Sequence, residues 1–244
     1  MGKAYFKYKG VSSLDMHLQI ENDISFTSPE VDVELVEVLG RDGELLVDNH
    51  RLKGTTFSIP VRIWTTDGTT VDEVATNLSN WLKTDIGWHE LEFSGSPDYV
   101  YSAVVIDEFD VQETLRNFGR TVITFRMKPY KRKAGVTQEE ITNGQTLIND
   151  EVRVAKPLIY IEGTGDINLQ NNGEDWLKLT GVDEFIYIDS EMMSVYKHRS
   201  LPQFNKMNST LKPMFPQLSV GENTITWTGN VTKVEINPRW EAVN

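Results

Sequence analysis

Three groups of residues in this 244-residue chain have types that could do chemistry: four histidines, a cluster of carboxylates and three tryptophans in the second half. A local metal site on a helix needs histidines at a spacing such as His-x-x-x-His. His17, His50, His89 and His198 are scattered without that spacing, so no metal site is expected. The carboxylates Asp107, Glu108 and Asp110 crowd into "IDEFD". Glycoside hydrolysis needs two carboxyl groups facing each other roughly 5 to 10 Å apart across the sugar. Neighbours within one strand or turn do not make such a pair, and they read as solvated charges. Trp176, Trp227 and Trp240 could form an aromatic platform that stacks sugar rings. The preferred reading is that they are core or interface anchors, because tryptophan supplies large buried area wherever sheets pack.

Other signatures are missing. There is no cysteine, which excludes disulfides, thiolate metal sites and cysteine nucleophiles. "GTGD" and "GRDG" are glycine turns rather than phosphate-binding loops, and no G-x-S-x-G occurs. The expectation is a protein without catalytic residues or cofactor, not an enzyme.

Bulk properties narrow the partners. The formal charge is 24 minus 36, or −12, which argues against nucleic acid or an anionic membrane as the main partner. The one dense basic run, "KPYKRK" from Lys128 to Lys133, reads as a strand end and linker. "MGKAYFKYKG" lacks an apolar signal core, and "YVYSAVVI" is too short to span a bilayer. A soluble chain with no membrane insertion is expected. Hydrophobic residues at 39% and charged residues at 25% are ordinary globular usage.

The elements that must position these residues are mostly strands. "VDVELVEV" (Val31 to Val38) has a strand-like pattern, and "GRDGELL" supplies a turn after it. In "TTFSIPVRIW" the residues Phe57, Ile59, Val61 and Ile63 share one face at period 2, while Pro60, lacking a donor, belongs at an edge or bulge. "RTVITFRMKPY" alternates the same way, with Ile123, Phe125 and Met127 on one side. One segment breaks the rhythm. Val71, Val74, Ala75, Leu78, Trp81 and Leu82 form a helical stripe, and Thr70 with Glu73 matches a capping box, predicting a helix over about 70–84.

Lys131 to Asp150 is polar and without apolar periodicity, which places a domain boundary near Lys133 and divides the chain into 1–133 and 134–244. Beyond it, short strands separated by "GTGD", "NNGED" and "TGVD" suggest a β-sandwich, with "NTITWTGNVTKVEINPRW" as closing strands that Trp240 helps to lock. "RSLPQFNKMNSTLKPMFPQL" carries three prolines and reads as a long surface excursion.

Two blocks carry a resemblance. "VEVLGRDGELLVDNHRLKGTTFSIPVRI" (Val36 to Ile63), followed by the helix, is one; "IYIDSEMMSVY" (Ile186 to Tyr196) with "FPQLSVGENTITWTGNVTKVEINPRW" (Phe215 to Trp240) is the other. Their order and spacing resemble the phage distal tail protein (Dit) family, also called the siphovirus tail component family. The resemblance implies a mainly β chain with one docked helix. Its N-terminal part would be a β-sandwich plus helix forming a hexameric ring, and its C-terminal part a galectin-like or carbohydrate-module-like β-sandwich. It further implies a virion structural protein of a phage or prophage tail tip, made in the bacterial host cytoplasm. Partners would be the tail tube protein, a tail tip or tail-associated lysin protein and a receptor-binding protein of the baseplate. The second part leaves no room for an extra carbohydrate-binding insertion. Six copies at −12 each would carry −72, so acidic residues are expected to face solvent and a central channel through which DNA passes without stable binding. The alternative reading is a carbohydrate-binding module for host cell-wall saccharides, using the tryptophans.

Overall fold

The computed structural model describes residues 4–21, 24–65, 68–197 and 215–244. His198 and residues 199–214 of the proline-containing excursion lie outside them. The chain divides into two compact units: Met1–Ala134 with Val243–Asn244, and Gly135–Ala242. It is mainly β, with one α-helix among the described residues, and its sheets curl as in a β-sandwich.

The first unit begins with β1 (Phe6–Tyr8), β2 (Val11–Ser12) and β3 (Leu18–Ile20), then β4 (Val31–Glu37), β5 (Glu44–Leu52) and β6 (Thr55–Trp64). The helix α1 (Val71–Lys83) follows, then β7 (His89–Phe93), β8 (Tyr99–Val104), β9 (Gln112–Leu115) and β10 (Phe118–Lys133). The main sheet runs β2-β1-β7-β8-β10-β6-β3, with β9 also paired to β10. Its longest pairing is the antiparallel pair β6/β10, in register from Thr55 opposite Met127 to Trp64 opposite Phe118. The alternating residues Phe57, Ile59, Val61 and Ile63 meet Ile123, Phe125 and Met127 on the inner face, and all are buried. Pro60 sits mid-strand where the short β3 runs out. Its carbonyl accepts from the Glu21 N–H at 3.0 Å, so its missing donor falls on that side, just past the end of β3, and leaves the pairing with β10 intact.

The helix expected over 70–84 is present between Thr70 as N-cap and Thr84 as C-cap. The Thr70 side chain accepts from the Glu73 N–H while the Glu73 carboxylate accepts from the Thr70 N–H at 2.7 Å, the reciprocal capping box. Thirteen residues make a helix that is marginal alone. Burying Val71, Val74, Leu78 and Leu82 stabilises it by roughly 1.5–3 kcal/mol per side chain. Trp81 closes the contact: its ring stacks on Phe6 at 5.9 Å and its Nε1–H donates to the Tyr8 carbonyl at 3.2 Å.

The second unit holds β11 (Glu139–Ile141), β12 (Gln145–Asn149), β13 (Leu158–Asn171), β14 (Glu174–Val182), β15 (Phe185–Asp189), β16 (Ser194–Tyr196) and β17 (Gly221–Asn237). A final strand, β18 (Glu241–Val243), crosses the boundary to the first unit. The strands β13 and β17 are long and pair with each other in two stretches, Leu158–Glu162 against Lys233–Asn237 and Asn168–Asn171 against Ile225–Thr228. Between the stretches the register shifts and the pair bends. One half carries β11, β15 and β16; the other carries β12 and β14. Ile159, Ile161, Ile186, Ile188, Val234 and Ile236 from the first half face Leu169, Leu177, Leu179 and Ile225 from the second across one core.

The bend depends on close backbone approach. A Cβ on Gly163 would stand 2.4 Å from the Asn230 carbonyl oxygen, and one on Gly229, whose φ is +108°, would stand 2.4 Å from that of Asp166. Gly229→Ala is therefore expected to destabilise the second unit by at least roughly 2 kcal/mol, combining φ strain with a backbone clash. Chemical denaturation followed by tryptophan fluorescence measures it; an unchanged midpoint would contradict the account of the bend.

Candidate functional site

The residues that could have done chemistry are dispersed. His17 caps the 3-10 turn Ser13–Met16, His50 lies beside Asp48 at 3.2 Å on β5, and His89 lies beside Asp85 at 3.3 Å at the start of β7. Among the described residues no group of three His, Asp or Glu stands close enough to hold a metal. Asp107 is engaged by Arg126 through two hydrogen bonds of 3.2 and 3.3 Å, while Glu108 and Asp110 line an open groove with Glu21, Pro60, Phe109 and Arg120. Among the described residues no helix is long and apolar enough to cross a membrane.

The three tryptophans pack with the second core. Trp240 is only 7% exposed, so it has no ring face to offer a sugar. Trp176 and Trp227 are half-buried against the same core; the Trp176 Nε1–H donates to the Gln217 carbonyl at 2.9 Å, and Asn143 ties the Trp227 backbone at both ends.

Two other features stand out from the residues upward. The first joins the two motifs of the second sequence block. Asp189 ends β15, and Arg239 follows Pro238 with φ at +53°. The guanidinium fork reaches both carboxylate oxygens, Nη1 to Oδ1 at 2.7 Å and Nη2 to Oδ2 at 2.9 Å. Asp189 Oδ1 also accepts the N–H groups of Glu191 and Met192, at 3.1 and 3.0 Å. Both side chains are largely buried, at 4% and 14% exposure. Burial, the largest single influence, pushes the Asp189 carboxyl up, but Arg239 and the two amides together outweigh it and hold the group below the ordinary carboxylate value.

The second feature is an arm. Among the described residues the strands β4 and β5 pair only with each other, forming a two-stranded sheet separate from the main sheet of the first unit. The turn between them spans Gly40 to Gly43, and Leu39 at its tip is fully exposed. At the base, Arg51 bonds Asp32 and holds that carboxyl below its ordinary value, and Lys53 pairs with Glu30 at 3.0 Å. Leu35, Leu45, Leu46 and Val47 are 40–59% exposed. Sequence reading found the strand pattern and the turn but not their separation from the sheet. The available signal was apolar residues on both parities of each strand, which a half-solvated strand lacks.

The ion pair generates a prediction. Arg239→Ala should destabilise the second unit by about 3–5 kcal/mol, because it strands a buried carboxylate. Asp189 has a folded pKa below its unfolded value of about 3.9, so its contribution is complete above that pH and is lost as pH falls through the folded pKa. Urea titrations from pH 7 to pH 3 should show the second unit's wild-type stability falling below about pH 4, and in Asp189→Asn that fall should be smaller, the remainder coming from Asp175, whose carboxyl is also held below its ordinary value by Lys178, Asn168 and Gln170. An Arg239→Ala protein as stable as wild type would contradict the role given to the pair.

No protein-family model and no curated protein sequence matches the chain. Among solved structures it is similar to SPP1 Dit (gp 19.1), presented as a paradigm of the hub adsorption apparatus in Gram-positive infecting phages. The TM-score is 0.72 at 15% identity, over 97% of this chain and 99% of that one. It is also similar to a chain of the phage P2 baseplate in its activated conformation with calcium, with TM-score 0.54 at 10% identity over 97% of each chain. The strontium form of that baseplate gives TM-score 0.54 at 10% identity, over 96% and 97%. Over nearly its whole length, then, this chain has the fold of the distal tail protein Dit, the fold that its two sequence blocks imply.

Proposed function

We propose that this protein is a structural component of a phage virion, a hexameric ring at the distal end of the tail that joins the tail tube to the tip or baseplate. The observation that carries the reading is the fold match to a hub protein, which takes in both units at once and leaves almost none of either chain unmatched. Its work is done by surfaces, not by catalysis. The first unit forms the ring, and the second is the outward β-sandwich that meets receptor-binding or tip proteins.

The arm supports self-assembly. Contiguous apolar surface left on a soluble chain marks a protein contact, and a hairpin of two strands is marginally stable by itself in water. A closed ring is built from heterologous contacts, in which one surface of a subunit meets a different surface of its neighbour. A projecting arm suits that geometry. The acidic balance of the chain suits a lumen through which a duplex passes without being held by counterion-releasing contacts.

The mass of the purified protein across a concentration series tests the reading. A discrete species near six times 27.8 kDa is expected. A strict monomer at every concentration would remove the self-assembling ring, and a glycan array would then test the saccharide-binding module in its place.

A further inference from the structure

Two asparagines in the chain stand directly before a glycine, Asn143 before Gly144 and Asn172 before Gly173, and both are exposed. Asparagine is thermolabile, and most so before glycine, which has no Cβ to shield its own nitrogen. The glycine nitrogen attacks the asparagine Cγ, the Cγ–Nδ2 bond breaks, and ammonia leaves with the proton that the glycine nitrogen gives up. Water then opens the cyclic imide to aspartate or isoaspartate. The attack requires nitrogen and Cγ to align at roughly 3–3.5 Å.

Here β17 holds both amides. The Asn143 Nδ2–H donates to the Trp227 carbonyl at 2.9 Å and its Oδ1 accepts from the Trp227 N–H at 3.0 Å. The Asn172 Nδ2–H donates to the Glu222 carbonyl at 2.9 Å and its Oδ1 accepts from the Thr224 N–H at 2.8 Å. Register explains the likeness. The β12 ladder begins with Gln145 opposite Ile225, so the strand carried two residues back would set Asn143 opposite Trp227. The β13 ladder ends with Asn171 opposite Ile225, so the next rung would set Asn172 opposite Thr224. The main chain turns away at both places, and a side-chain amide makes the rung in its stead. At Asn143 the nucleophile is held as well, since the Gly144 N–H donates to the Ile225 carbonyl at 2.8 Å. Among the described residues the Gly173 N–H makes no such bond.

We propose that these two steps are deamidation sites sealed by the strand they grip, and that opening of β17 unseals them and makes the opening permanent. Freeing either amide breaks two hydrogen bonds, and at Asn143 a third must break to free the glycine nitrogen. After conversion an acceptor-only carboxylate replaces the Nδ2–H donor and faces the Trp227 or Glu222 carbonyl, acceptor against acceptor. Because β17 pairs with β11, β12 and β13, a strand that no longer re-docks takes the centre from the second unit's sheet. A passing local opening is thereby fixed as a covalent change. The chemistry belongs to the single chain and holds whatever the chain assembles into.

The test uses the full-length wild-type protein, aged in native buffer and, in parallel, in guanidinium chloride above its unfolding midpoint at the same mildly alkaline pH and temperature. Peptide mapping by mass spectrometry follows the exchange of NH2 for OH at each asparagine. Both sites are expected to convert at least roughly tenfold more slowly in native buffer, where cyclisation waits on local opening. In that buffer Asn172 should convert ahead of the doubly held Asn143. Asn143→Asp and Asn172→Asp install the product directly, and each should lower the second unit's folded-to-unfolded ratio by roughly tenfold or more near neutral pH. Equal rates in the two conditions would remove the seal, and conversion of Asn143 before Asn172 in native buffer would remove the second hold at Gly144. Aspartate variants as stable as wild type would overturn the claim that conversion makes an opening permanent.

Discussion

Two places where backbone passes too close to backbone for a Cβ govern the second unit. At Gly163 and Gly229 the paired strands β13 and β17 bend together, and the bend turns one sheet into two facing layers. Without it, Ile159, Ile161 and Ile236 would line a sheet with nothing opposite. With it, they meet Leu169, Leu177 and Ile225 and close a core. The Asp189–Arg239 pair then fastens the ends of β15 and β17 at one end of that core, where burial makes the charges costly unless they are matched. Closure therefore comes first and the ion pair second: the pair specifies which ends meet, and the bend makes the meeting possible.

The first unit solves the same problem with a different part. Its sheet hides the apolar face of β6 and β10 partly beneath α1, whose stripe of Val71, Val74, Leu78 and Leu82 belongs to the same core as Phe57, Ile59 and Phe125. The arm stays uncovered in the single chain, as do Trp64 and Leu115. Core and arm fall under one rule about apolar surface, which the chain satisfies in the first case and leaves unsatisfied in the second.

Much of this was legible in the sequence because it is local. The capping box of Thr70 and Glu73, the helical stripe and the alternation in β6 and β10 are patterns over a few neighbouring residues, and they fix type, face and limits. The arm was legible only as strand and turn. Whether a strand joins a sheet is decided by partners distant in sequence, and nothing within Val31–Leu52 encodes their absence except the missing polar face. The partnership of Asp189 with Arg239 spans fifty residues, and although both stand in motifs that resemble Dit, neither motif states that they touch. The tryptophans show the limit from the other direction: residue type permits a sugar platform, and only burial shows that Trp240 is a core residue.

The arm also bears on how the chain behaves in solution. Its two strands leave unpaired N–H and C=O groups along their outer edges beside exposed leucine and valine, the combination that seeds irregular β-stacking in a crowded solution. Carboxylates interrupt every apolar run on β4 and stand at both ends of the run on β5, at Glu44 and Asp48, so two arms approaching edge to edge bring like charges together. The same stretch that exposes apolar surface on the arm thus opposes adhesion between arms. Exposed apolar surface and the charge that restrains it share the same twenty-two positions, Val31 to Leu52.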